Sequence, residues 1–244
     1  EVELTTKSGV FTASVPAGTS TGKYEAKELR DGGDMYLGMG VQKAVQNINK
    51  VIAPKLIGKN PQEQQEIDNL MIELDGTFDK SRLGANAILG VSIATLKAGA
   101  AAETVPLWQW IAKLAQTKPL LPFPCLLYIE GGLHGRGDVD TQEFMVVLEE
   151  GSFHEQLRLG TATYHTLREL ISKKFGKAAT NVGLEGGLTP PVLGTEDVLD
   201  LIMEAVKKTG VKKGKIILDM AASTFFKNGQ YYFEGENFDQ QGLS

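Results

Sequence analysis

The sequence predicts an α+β segment followed by an α/β sheet or barrel, and three observations predict it. An alternating hairpin pattern at the start gives way to amphipathic helices. Three prolines, Pro119, Pro122 and Pro124, then fall within six residues. Beyond them, short apolar runs alternate with helical patterns, as strands buried on both faces do in parallel α/β folds.

Val2, Leu4 and Thr6 alternate with polar residues, Ser8-Gly9 turns the chain, and residues 10–15 return as a second strand. Pro16-Ala17-Gly18-Thr19-Ser20-Thr21-Gly22 has turn formers and hydroxyls and little to bury, so an exposed, mobile loop is expected. Val41, Ala44, Val45, Ile48 and Ile52 share one helical face, as do Ile67, Leu70, Met71 and Leu74. Asp75-Gly76-Thr77 stops the second of these helices. Residues 85–102 are apolar nearly all round, which predicts a helix covered on several sides. Leu107, Trp108, Ile111 and Leu114 mark a shorter one. The proline cluster divides the chain into an N-terminal α+β domain at 1–117, a linker at 118–124 and an α/β domain at 125–244.

After the linker, Cys125–Ile129, Phe144–Leu148 and Lys215–Asp219 read as buried strands. Phe153, Leu157, Gly160, Tyr164, Leu167 and Ile171 mark a long helix. Thr195 is expected to cap another, with Glu196 and Asp197 in its first turn, Lys207 and Lys208 in its last, and Gly210 just past its end.

Composition narrows the function classes. Among 244 residues, 25 basic and 30 acidic side chains give a net charge of −5, which is not the footprint of a nucleic-acid binder. The single cysteine, Cys125, cannot pair within the chain, which fits a reducing compartment such as the cytoplasm. The low-charge run Leu83–Ala102 carries Asn86, Ser92 and Lys97 and reads as a buried helix, not a membrane span. The chain opens without Met on a strand-like pattern, so an internal piece of a longer protein is expected.

Three acids occupy strand ends, where α/β barrels place chemistry. Glu143 starts one apolar run, Asp219 ends another, and Glu185 sits between a short extended stretch and Gly186-Gly187. An acid at the lip of an apolar strand is costly to desolvate unless paired, metal-bound or protonated. Leu184 would withdraw Glu185 from water, which suits a general acid. His134 stands among glycines with little packing to do. No His/Cys cluster has zinc spacing, while carboxylates from separate strands suit Mg²⁺. Arg136-Gly137-Asp138 reads as a turn, and Gly18–Gly22 lacks the ending of a phosphate loop.

Several segments together resemble the enolase family. They are residues 15–22, Glu25-Ala26 through Leu29-Arg30-Asp31-Gly32, Leu74-Asp75-Gly76-Thr77, residues 84–92, Gln142-Glu143-Phe144-Met145, Asn181-Val182-Gly183 with Glu185-Gly186-Gly187, and Leu218-Asp219. The resemblance implies an α+β capping domain followed by the first part of an enolase-type α/β TIM-like barrel whose second strand runs antiparallel. It implies Mg²⁺-dependent dehydration of 2-phosphoglycerate to phosphoenolpyruvate, a small phosphorylated substrate, by a cytoplasmic homodimer. Carried over by position, Glu185 assists the leaving hydroxide and Glu143 supports it. His134 closes over the substrate, which Gln142 and Glu143 also help to bind. Asp219 is a ligand of the tighter Mg²⁺, and Ser20 reaches a second Mg²⁺ when its loop closes. The family's general-base lysine and further metal carboxylates would lie beyond Ser244.

The sequence also departs from the family pattern. Glu130 and Pro191 each replace an asparagine, Leu133 a small or polar residue, Leu184 an aspartate and Thr224 a glutamate. These changes support an alternative, a catalytically impaired enolase-like protein with a binding or structural role. Another lyase or racemase of the superfamily is a third reading.

Overall fold

The computed structural model describes every residue except Thr19, Arg136, Gly137, Asp138, Leu193, Leu243 and Ser244, so the Arg136-Gly137-Asp138 turn lies outside the described residues. The chain forms two compact units, Glu1–Leu120 and Leu121–Ser244.

The first unit opens on the antiparallel hairpin of β1 (Val2–Thr6) and β2 (Gly9–Ala13), with Leu4 opposite Phe11. Residues 14–18 and 20–32 carry no helix or strand. Helix α1 (Gln42–Asn47) runs through a π-wound turn, Ile48–Ile52, into α2 (Ala53–Leu56). Pro54 accounts for the widened turn: it has no N–H to give the Lys50 carbonyl, and its ring would crowd that carbonyl in a regular α-helix. Helices α3 (Gln64–Asp75), α4 (Ala85–Ala102) and α5 (Leu107–Ala115) complete the unit.

Helix α4 is long and apolar enough, by length and composition, to cross a membrane. Here it contacts β1, β2, α3 and α5, and buries Ala87, Val91, Ala94 and Ala98. Its small residues permit that close approach: a Cβ at Gly90 would stand 2.7 Å from Val2 Cγ2. Asn86, at its first turn, serves Leu29 as a strand partner would. Its Oδ1 accepts from the Leu29 N–H at 3.1 Å and its Nδ2 donates to the Leu29 carbonyl at 3.2 Å.

Buried Asp75 ties the end of α3 to the approach of α4. Oδ1 accepts from the Thr77 N–H at 3.0 Å, and Oδ2 from the Leu83 N–H at 2.7 Å. Burial raises the proton affinity of Asp75, but the hydrogen bonds from Thr77 and Leu83 outweigh it and hold the carboxyl below the usual range.

In the second unit β3 (Cys125–Glu130), β4 (Glu143–Leu148) and β5 (Gly214–Asp219) form a sheet in that order. Strand β4 is antiparallel to both neighbours, which corrects the all-parallel reading. The physical reason is the connection: the chain passes from Glu130 to Glu143 in twelve residues, and the described ones among them carry no helix, so β4 returns beside β3 without a helical crossover. Helices α6 (Phe153–Phe175) and α7 (Thr195–Thr209) follow β4. Phe144, Val146 and Leu148 of β4 form a core with Ile129 of β3, Leu167 and Ile171 of α6, and Val198 and Ile202 of α7. Strand β5 is a further correction. It is an edge strand, and Ile217 and Leu218 are 39% and 37% exposed.

Thr195 does not cap α7. Gly194 holds the cap position, and the Glu234 carboxylate accepts the Thr195 N–H at 2.6 Å. Gly210 closes the helix in the left-handed region at φ 73°. A three-stranded antiparallel meander of β6 (Phe226–Lys227), β7 (Gln230–Phe233) and β8 (Glu236–Phe238) follows β5.

The Asp75 bonds generate a stability test. Asp75→Ala should cost about 3 kcal/mol at neutral pH, the scale of two hydrogen bonds to a charged acceptor. Because the folded carboxyl is depressed, its stabilisation is present above the unfolded value of about 3.9 and is lost as pH falls through the folded value. Urea unfolding of parent and variant should therefore converge in strong acid.

Candidate active site

The antiparallel sense of β4 gathers the acids. Because β4 runs against its neighbours, its first residue lies beside the last residues of β3 and β5. Glu143 pairs directly with Glu130 on one side and with Asp219 on the other. Directly opposed residues share a face. Strand alternation puts Phe144, Val146 and Leu148 on the helix-packed face, so the row Glu130–Glu143–Asp219 stands on the other. Neighbouring like charges are destabilising there unless protons or a cation neutralise them.

A loop brings the fourth acid. Leu188 pairs alongside β3: its N–H donates to the Tyr128 carbonyl at 2.8 Å, and its carbonyl accepts from the Glu130 N–H at 3.0 Å. Val182 bridges back to Leu188, so residues 183–187 form a tight turn over the end of β3. The Glu185 N–H donates to Glu130 Oε1 at 2.8 Å, which fixes the turn. Gly183 and Gly187 make room for Glu130. A Cβ at Gly183 would overlap Glu130 Oε2 and the His134 carbonyl, and one at Gly187 would stand 2.7 Å from Glu130 Cγ.

His134 completes the cluster. Its side chain is 2% exposed, which corrects the expectation that it packs against little. Nδ1 lies 3.5 Å from Glu143 Oε1 and 3.7 Å from Glu185 Oε1. Among the described residues neither ring nitrogen has a hydrogen-bond partner, nor do Glu130 Oε2 and Gln142 Oε1. Gln142 is buried, and its N–H donates to the Asp219 carbonyl at 3.0 Å. Asp219 Oδ1 accepts from the Ala221 N–H at 2.8 Å.

Burial raises the proton affinity of Glu143, and the charges of Glu185 and Asp219 raise it further, so its carboxyl stands above the usual range. Burial does the same for Glu130. The Glu185 N–H and His134 oppose it, the Glu185 charge adds to it, and the net direction is upward.

Glu143, Glu185, His134, Gln142 and Asp219 are thus brought to one end of one sheet. Ser20 stands in the irregular stretch of the first unit. Leu184 does not wall Glu185 from water, being 66% exposed itself. In the sequence Glu130 stands out only as a departure from the family pattern, yet it is the most buried of the four acids. The signal was available, since Glu130 ends an apolar run as Asp219 does. As donors, the carboxylates of the row are what Mg²⁺ takes, and the surplus negative charge on the acid row fits a hard cation beside exposed Asp219.

The family model for the enolase N-terminal domain matches residues 1–111, and that for the enolase C-terminal TIM barrel domain matches residues 118–243. The chain belongs to the enolase family. Among curated relatives, the enolase of Mastigamoeba balamuthi is 50% identical over 230 residues, covering 93% of this chain and 52% of that protein. The enolase of Methanothrix thermoacetophila is 49% identical over 233 residues, covering 95% of this chain and 55% of that protein. The chain spans about half the length of the curated relatives it matches. The enolase assignment fixes the fold class as a capping domain followed by part of a TIM barrel.

Two variants probe how this enolase site is built. Gly183→Ala should displace Glu130 and destabilise the second unit by about 1–3 kcal/mol, as overpacking does. Its crystal structure should show the Glu185 N–H parted from Glu130. Glu130→Gln should raise the melting temperature at neutral pH. The raised carboxyl of Glu130 contributes stability only below its unfolded value, and that contribution is lost as pH rises through the folded value. The gain should fade as pH falls to about 4, the ordinary range of glutamate.

Proposed function

We propose that the protein containing this chain dehydrates 2-phosphoglycerate to phosphoenolpyruvate with Mg²⁺. The observation that carries the reading is the convergence of Glu143, Glu185, His134 and Asp219 at one sheet end, in a member of the enolase family. Cytoplasmic location and a homodimer belong to the same proposal, supported by the family and the lone cysteine. The domain limits 1–117, 118–124 and 125–244 are likewise proposed.

Dehydration beside a carboxylate needs a proton removed from carbon and a proton given to the departing hydroxyl. Glu185 is half exposed and aimed over the acid row, where it can donate to that hydroxyl. Glu143 retains a proton more readily than an ordinary carboxylate, and it shares the neighbour His134 with Glu185. His134 and Gln142 carry buried polar atoms with no hydrogen-bond partner among the described residues and would orient the substrate. Asp219 would hold one Mg²⁺, and the resemblance assigns Ser20 to a second. When bound, Mg²⁺ supplies the positive charge that stabilises the substrate carboxylate as it gains a second negative charge. The resemblance puts the carbon base outside the present chain.

A protein of full family length carrying this sequence should produce phosphoenolpyruvate, followed by its ultraviolet absorbance. Glu185→Gln should lower kcat by about 10²–10⁴, the usual yield of general acid catalysis. The 244-residue chain alone should show no turnover. Glu130 favours a second reading, because it adds a buried carboxylate to the site. Under that reading the long protein is inactive and Glu130→Asn restores turnover.

A further inference from the structure

Three donors in the site form a set that Mg²⁺ chemistry does not use. Ligand atoms of Glu130, His134 and Glu185 all lie within 4.8 Å of one another. Two of the three residues are buried, and not all of their polar atoms find a hydrogen-bond partner among the described residues. Among the described residues His134 has no hydrogen-bond partner at either nitrogen, its Nδ1 standing 3.5 Å from Glu143 Oε1, and Glu130 has none at Oε2. Leaving buried polar atoms unpaired costs about 1–3 kcal/mol each, so such atoms point to a missing partner. A cation that accepts both imidazole nitrogen and carboxylate oxygen answers Glu130 Oε2 and one His134 nitrogen.

We propose that Glu130, His134 and Glu185 bind one divalent transition-metal ion of the zinc class, and that its occupation withdraws Glu185 from proton transfer. Imidazole suits zinc, copper, iron and nickel, whereas Mg²⁺ prefers oxygen alone. One histidine and two carboxylates leave a fourth position for water, as in open zinc sites. The backbone is set for it. Glu130 uses Oε1 to hold the Glu185 N–H, so Oε2 is the oxygen left for the ion. His134 Nδ1 faces Glu185 Oε1 at 3.7 Å, near the spacing of about 3.4 Å between donors around tetrahedral zinc. Glu185 is the most exposed of the three. Binding does not depend on the dehydratase reading, but the loss of proton transfer does.

Glu130 makes the site particular to this sequence, because the family pattern has asparagine there. Glu130→Asn is therefore the natural variant, close in size and neutral. The test titrates Zn²⁺ into the metal-free chain by calorimetry, in a Cys125→Ser background that removes the exposed thiol. One Zn²⁺ should bind at micromolar concentration, and Glu130→Asn should weaken it at least tenfold. In the parent chain Zn²⁺ should shift the His134 ring resonances and leave those of His154 and His165 in place. That measurement needs no variant to fold. Absence of a micromolar site, equal affinity in folded Glu130→Asn, or an unmoved His134 would each overturn the proposal. In the protein of full family length, micromolar Zn²⁺ should suppress turnover under saturating Mg²⁺. Binding without suppression overturns the regulatory half. Binding to a long protein that never turns over leaves the metal site standing and removes the dehydratase reading.

Discussion

The burial of one carboxylate governs the architecture of the second unit's site. Glu130 ends a strand whose last three residues are buried, and there is no water to solvate it fully. Its neighbours are shaped by that fact. One oxygen is answered by a backbone N–H from the turn that carries Glu185. Two glycines flank it because side chains at those places would occupy its volume. The loop above it is held in place, since moving the loop would strip the buried carboxyl of its donor.

Chain direction does the rest. A strand running against its neighbours presents its beginning where they present their ends. An acid at the head of β4 therefore joins acids at the tails of β3 and β5, although these residues are far apart in sequence. The core contributes by exclusion. Phe144, Val146 and Leu148 commit one face of β4 to α6 and α7, and the pleat then leaves Glu143 only the other. The position of the site is thus a by-product of the same alternation that builds the hydrophobic core.

The helices were legible in the sequence because an amphipathic stripe has a period that irregular segments lack. The candidate acids were legible because a charge breaking an apolar run is conspicuous. Strand direction was not legible from the residues: a run buried on both faces reads alike in either sense, and only the family resemblance gave the antiparallel second strand. His134 was misjudged because glycines suggest open space, whereas here they let backbone close around the ring. Glu130 was passed over because comparison with a pattern marked it as a difference, which drew attention from its place at a strand end. Thr195 has the right residue type for a cap, but Gly194 takes the cap position and the Glu234 carboxylate accepts the Thr195 N–H.

The open edge of β5 bears on how the molecule assembles. Its free side offers a line of backbone donors and acceptors beside half-covered Ile217 and Leu218, a template for any extended segment that arrives. Arrival is a matter of concentration. A strand tethered to the same chain is present at an effective millimolar level, whereas a strand on another molecule is present only at the protein's own concentration. Lys215, engaged with Glu149 at 2.9 Å, sets a charge at the head of that edge and discourages the intermolecular encounter. The same edge therefore favours a strand tethered to it over one that arrives on another molecule.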